Sequence, residues 1–368
     1  MIYFDHNATT PIDERVVEAM LPYISTFYGN PSSLYKLGRV VRSAINTARE
    51  QVAALVEVSP VQIVFTSGGT EANNLALNIV NKPCSIAVSA IEHPSIIEPA
   101  SQWGDRCYSI AVNSYGQVAL PSIETLFQQS IRPELVSVMM ANNETGAIQD
   151  IQAIVDTLRA QKVIIHTDAV QAIGKTPVSF TQLGVDLMSL SSHKIYGPKG
   201  CGALVVDKNV AMNPQLMGGG QENGWRAGTE NVAAIVGFGK AAELALLELD
   251  SHAEHCLRLR QLLEQELKTI PNVFIFSEQV ERLPNTVQFG VKGIDGEMLL
   301  MQLDQKNIAV SSGSACASGG GKASSVLTAM GIEDALAKSA IRVSVGKTNT
   351  EAEIKQFITV LKSFVTKE

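Results

Sequence analysis

The sequence predicts an α/β fold, a mainly parallel sheet flanked by helices with a smaller α+β lobe after it, on three observations. Short apolar runs alternate with amphipathic stretches through the middle of the chain. The runs are rich in Val and Ile without polar alternation, the pattern of strands buried on both faces. A long helical stretch, residues 232–269, then gives way to shorter mixed elements.

The strand candidates are, in order, residues 63–66, 85–90, 135–141, 163–167, 186–189 and 203–206. Helical patterns at 71–80 and 151–161 lie between several of them. In such sheets ligands bind where loops leave the carboxyl ends of the strands. The 232–269 stretch is dense in Ala, Leu and Glu, and Pro271 follows it. Beyond it come strand-like 273–276 and 286–291, a helical pattern near 296–305, strand-like 341–345 and a final helix over 351–364. The division read from this is a large domain over 15–255 and a small one built from 1–14 with 256–368.

The 368 residues are 45% hydrophobic and 18% charged, enough for sizeable cores in an ordinary globular composition. A net charge of −7 argues against a nucleic-acid-binding surface. No apolar run approaches the roughly 18–20 residues that span a bilayer, and the start lacks the basic and apolar regions of a secretory signal. A cytoplasmic protein without membrane contact or direct nucleic-acid binding is expected. The five cysteines, Cys84, Cys107, Cys201, Cys256 and Cys316, are scattered and contain no C-x-x-C pair. That is neither a disulfide framework nor a metal-site spacing, so no metal is expected.

Seven segments carry groups that can do chemistry. Lys194, in Ser191-Ser192-His193-Lys194, leaves an apolar strand among small and apolar residues. It is either a solvated charge or a desolvated, nucleophilic amine. Asp168 ends an apolar strand, where a carboxylate either caps a helix or pairs with a buried cation such as a protonated ring nitrogen. In Thr66-Ser67-Gly68-Gly69-Thr70-Glu71 a strand passes through a glycine turn into a helix, a natural phosphate site that also fits a plain cap by Thr70. His93 and the Asn142–Gly146 amides stand at two more strand ends, where they either meet a ligand or satisfy turn backbone. Cys316 sits among Gly, Ser and Ala rather than apolar residues, suiting a thiol that visits a substrate and leaves. Arg342, inside the apolar run 341–345, is an ion-pair residue or a carboxylate clamp.

Together these segments, with Tyr3–Pro11, Gly29–Ser33, His166–Gln171, Arg226–Thr229 and Ile341–Gly346, resemble the cysteine desulfurases of the class V aminotransferase superfamily over nearly the whole chain. The resemblance implies a fold-type I pyridoxal-phosphate transferase with a seven-stranded, mainly parallel sheet. It implies pyridoxal 5'-phosphate as cofactor, with Lys194 as the Schiff-base lysine that later shuttles protons. Asp168 would pair the ring nitrogen. Gln171 and Asn143 would hydrogen-bond the ring oxygen or substrate, and His93 would stack on the ring and relay a proton. Gly69, Thr70, Ser191 and His193 would hold the phosphate, and Thr229 would reach that of a neighbouring subunit in a homodimer. Arg342 would grip the carboxylate of L-cysteine, and Cys316 would take its sulfur as a persulfide for an acceptor protein, such as an iron–sulfur scaffold or a partner in tRNA thiolation. The sequence departs from the family after Cys316, where Ala317–Ser325 has more glycine and lacks a Glu-Pro, which bears on acceptor choice. A selenocysteine lyase, another class V lyase or transaminase, or a catalytically idle scaffold on the same fold are the competing readings.

Overall fold

A computed structural model of the chain describes residues 1–80, 84–128, 132–312 and 323–365. Among the described residues twelve strands are formed in chain order: β1 Ile2–Tyr3, β2 Ile63–Thr66, β3 Ile86–Ser89, β4 Cys107–Ile110, β5 Leu135–Ser137, β6 Ile164–Asp168, β7 Leu187–Ser191, β8 Gly202–Val206, β9 Val273–Ile275, β10 Thr286–Val291, β11 Ile308–Ala309 and β12 Ile341–Ser344. The central sheet has seven strands in the order β2-β8-β7-β6-β5-β3-β4. Pairing from β4 through β3, β5 and β6 to β7 is parallel, and β8 runs antiparallel to both β7 and β2. This is the mainly parallel seven-stranded architecture expected.

Alternate side chains of each strand enter different cores, which is why the runs read as continuously apolar. Ile63, Phe65, Val136, Met188 and Val205 join a core with helices Lys36–Leu55, Ile151–Leu158 and Val232–Leu247. Val64, Ile86, Leu135, Leu187 and Leu204 join another under Gly69–Leu77 and Pro94–Ala100. The edge strand β4 was not anticipated. Three of its four residues are only part-buried or exposed, so it carries no buried apolar run to signal it.

The helical stretch expected over 232–269 is two helices, Val232–Leu247 and Leu249–Leu267, broken at Glu248. Leu244 and Ala245 pack in the first core, whereas Cys256, Leu259, Leu263 and Leu267 pack in another with β10 and β12. The break lets one sequence serve both. Glu248 itself is held by Arg15 and Lys347. That last core also takes Ile2 and Phe4, as β1 pairs in parallel with β11. The first residues of the chain therefore run from the smaller core across the mouth of the central sheet.

Candidate active site

The carboxyl ends of β2, β3, β5, β6 and β7 open on one cavity of about 270 Å³. Gly69, Thr70, His93, Asn143, Asp168, Gln171, Ser191, His193 and Lys194 all line it. Arg342 does not. It lies behind Asn143, 3% exposed, donating from Nη1 to the Asn143 carbonyl at 2.9 Å and pairing through Nη2 with Asp5 at 2.6 Å. Thr229 is exposed and away from the cavity of its own chain. Cys316 lies outside the described residues.

The glycine turn after β2 starts the helix Gly69–Leu77. Its cap is Gly68, at φ 151°, with no side-chain hydrogen bond, so Thr70 is not the cap but a first-turn residue. A side chain at Gly202 would come within 2.7 Å of the Gly68 backbone, so β8 can pass this turn only as glycine. Glu71 braces the turn by accepting from the Ser67 amide at 2.7 Å while pairing with Arg226.

Asp168 is buried and accepts from Asn73 Nδ2 at 2.7 Å and from the Val170 amide at 2.9 Å. His93 caps the helix Pro94–Ala100, its Nδ1 accepting from the Ser95 amide. Burial, then the charge of Lys194, holds its pKa below the ordinary histidine value, while Asp168 acts the other way. Burial, then Lys194 and Lys199, takes His193 down to about 4. His166, inside β6, is fully buried between the Ser137 and Ser189 hydroxyls and does not line the cavity. Glu92, next to His93, is pushed up to about 8 by burial and by the Asp168 charge, against hydrogen bonds from Ser89 and Met139.

Lys194 Nζ donates to the Ala8 carbonyl at 2.8 Å and to that of Asn7. Asn7 is the hub of a group that sequence reasoning gave no role. Its carbonyl also accepts from Gln171, its Nδ2 donates to the Asn143 carbonyl and Thr286, and its Oδ1 accepts from Lys175 and Asn285. Lys175, whose pKa burial drives far below the usual lysine range, also donates to Gln171 Oε1 at 2.7 Å and so fixes that amide. Thr9 meets His193 Nδ1, and Thr10 bonds the His193 carbonyl and the Tyr196 amide. Asp5, Asn7, Thr9 and Thr10 lie inside the Tyr3–Pro11 resemblance, the one signal that could have found them. Asn73 and Ser95 were missed too.

These groups fit pyridoxal phosphate. Ser191 Oγ is buried without a hydrogen-bond partner beside Gly69, where an added Cβ would sit 3.1 Å from Val170 and 3.5 Å from Ser191. With the helix start and Thr70, this is a donor cradle that suits phosphate oxygens. Asp168 offers a buried carboxylate that suits a protonated ring nitrogen, and Lys194 an amine that suits an aldehyde.

The family model for aminotransferase class-V matches residues 2–357. The chain is similar to a cysteine desulfurase of Nostoc sp., 43% identical over 99% of this chain and 93% of that protein. It is similar in structure to a NifS-like protein from Rickettsia africae, with TM-score 0.92 and 39% identity over 99% of both chains. It also resembles SspA in complex with cysteine, with TM-score 0.81 and 29% identity over 95% of this chain and 100% of that one.

Proposed function

The chain belongs to the aminotransferase class-V family and is a pyridoxal-phosphate-dependent cysteine desulfurase, and we propose that it holds the sulfur of L-cysteine as a persulfide on Cys316 for transfer to an acceptor protein. The observation that carries this reading is the convergence of Lys194, Asp168 and His93 on one cavity with a phosphate cradle at its end.

Bound pyridoxal phosphate supplies a sink for electrons released at the α-carbon of an amino acid. Gly69, Thr70, Ser191 and His193 would hold its phosphate, and Asp168 would keep a proton on its ring nitrogen. His93 would cover the ring, with Gln171 and Asn143 offering amides to the ring oxygen or the substrate. Lys194 would carry the cofactor on its amine and move the α-proton at Nζ. Arg342 would hold the substrate carboxylate, already braced by Asp5. The Cys316 thiolate would then attack the substrate sulfur and break its bond to the β-carbon, which keeps the electron pair and takes up a proton. The products are L-alanine and one persulfide, which keeps sulfide out of solution.

The acceptor belongs to iron–sulfur assembly, tRNA thiolation or another sulfur modification, and the setting is the cytoplasm. Among the described residues no helix is long and apolar enough to cross a membrane. The working form is a homodimer, in which Thr229 reaches the neighbouring phosphate. Its exposure away from its own cavity supports this, as do exposed Tyr28, Leu34 and Met217. The domain division is 15–255 against 1–14 with 256–368, supported by the core that joins Ile2 and Phe4 to Cys256 and later residues.

Alanine release from L-cysteine by the cofactor-loaded protein tests the reading. Lys194→Ala should lose the visible cofactor band and about 10²–10⁴-fold of the activity. A variant that keeps both removes Lys194 from its assigned role.

A further inference from the structure

The hydrogen bonds along one wall of the cavity run in one direction. Asp168 Oδ2, an acceptor only, lies 2.7 Å from Asn73 Nδ2. The amide must turn its nitrogen to Asp168, because its oxygen would face a carboxylate. The same nitrogen lies 2.8 Å from Ser95 Oγ and donates its second hydrogen there. Ser95 Oγ is in turn 2.7 Å from His93 Nδ1, where its own hydrogen is free to point to the ring. The Ser95 backbone N–H also reaches Nδ1, at 3.1 Å. A backbone N–H only donates, so Nδ1 bears no proton and Nε2 does. Asn73 is 1% and Ser95 8% exposed, which keeps water from replacing these donors.

We propose that Asn73 and Ser95 are positioning residues that hold His93 as the Nε2–H tautomer, so that it meets cofactor and substrate as a hydrogen-bond donor and not as a base. The inference rests on the desulfurase reading for what occupies the cavity. Accepting a proton at Nδ1 would break the bond from the Ser95 backbone N–H and force the Ser95 hydroxyl to turn from donor to acceptor, and Nε2 is already protonated in the neutral ring. The charged groups acting on the ring are Asp168 from the end of β6, which favours a charged imidazole, and Lys194 from beyond β7, which opposes one. Glu92, from the same loop, is pushed up to about 8 by burial and so is mostly protonated near neutral pH. Lys194 is the remaining amine in the cavity, and the base role falls to it.

Isotopic labelling of the imidazole nitrogens in the cofactor-loaded protein tests this by NMR. The chain has 6 histidines, few enough to resolve, and His93→Gln assigns the relevant signals. The wild-type ring should carry its proton on Nε2. Ser95→Ala removes one donor to Nδ1 and should raise the His93 pKa by about half to one unit, with Ser95→Thr restoring it. Asn73→Ala should raise it less, and serves if Ser95→Ala does not fold. A merely structural role would lower cofactor content or the melting temperature while leaving tautomer and pKa in place. A wild-type proton on Nδ1, or a His93 pKa equal in wild type and the foldable variants, would overturn the proposal. The measurement needs no turnover, so a protein that releases no alanine fails the desulfurase reading without touching this one.

Discussion

Two regions meet at the cavity and they are built on different principles. The rim formed by the ends of β2, β3, β5, β6 and β7 supplies the groups that face a ligand, each from a short local segment of strand and turn. The N-terminal segment supplies Asn7, Thr9 and Thr10, which hold Gln171, Lys194 and His193 from behind, and Asp5, which holds Arg342 beyond them. On the proposed function the rim carries the reactive side chains and the segment fixes their aim. A side chain held by several such bonds loses little freedom when substrate arrives, which is the condition for precise positioning.

The two regions should respond differently to substitution. Asp168→Asn, on the rim, should cost about 10²–10³-fold in kcat, in line with removal of a preorganised charge at a reacting centre. Its melting temperature should stay near wild type, as the amide can keep a bond from Asn73 or Val170. A loss confined to stability would break the distinction. Asn7→Ala, in the segment, should do the reverse in emphasis. It removes side-chain bonds to the Asn143 carbonyl, Thr286, Lys175 and Asn285, and leaves a buried lysine short of an acceptor. About 2–4 kcal/mol of stability should be lost by denaturant unfolding, with activity recovering at low temperature.

A smaller effect sharpens the comparison through pH. Glu92 is raised to about 8 in the folded protein, so it keeps its proton where the unfolded chain has lost it. Its contribution therefore favours folding at low pH and declines as pH rises from the ordinary glutamate range toward about 8. Glu92→Gln stays neutral throughout and should flatten that decline in urea midpoints. An unchanged pH slope would mean that Glu92 ionises normally.

The same contrast explains what the sequence made legible. Lys194, Asp168, His93 and the Gly68–Gly69 turn stand out because each breaks an apolar run at a strand end, a signal contained in a few adjacent residues. Asn7 breaks no pattern, and its partners Lys175, Thr286 and Asn285 lie far along the chain, so only a fold can bring them together. Asn73 sits inside a good helical pattern and looks like any polar helix residue until Asp168 is placed against it. The break at Glu248 is invisible for a similar reason. Both flanking stretches are strong helix formers, and the turn between them serves two cores that composition does not separate. Strand β4 is hidden by its edge position, which leaves its side chains only partly buried.

The claim on which the account depends is the passage of sulfur through Cys316. Brief exposure of the cofactor-loaded protein to L-cysteine without reductant, followed by intact-mass analysis and peptide mapping, tests it directly. The expected result is the added mass of sulfur on the Cys316 peptide, alanine in the supernatant, and no added sulfur in a Cys316→Ser variant that still binds L-cysteine. Alanine with an unmodified Cys316, or persulfide persisting in the variant, would contradict it.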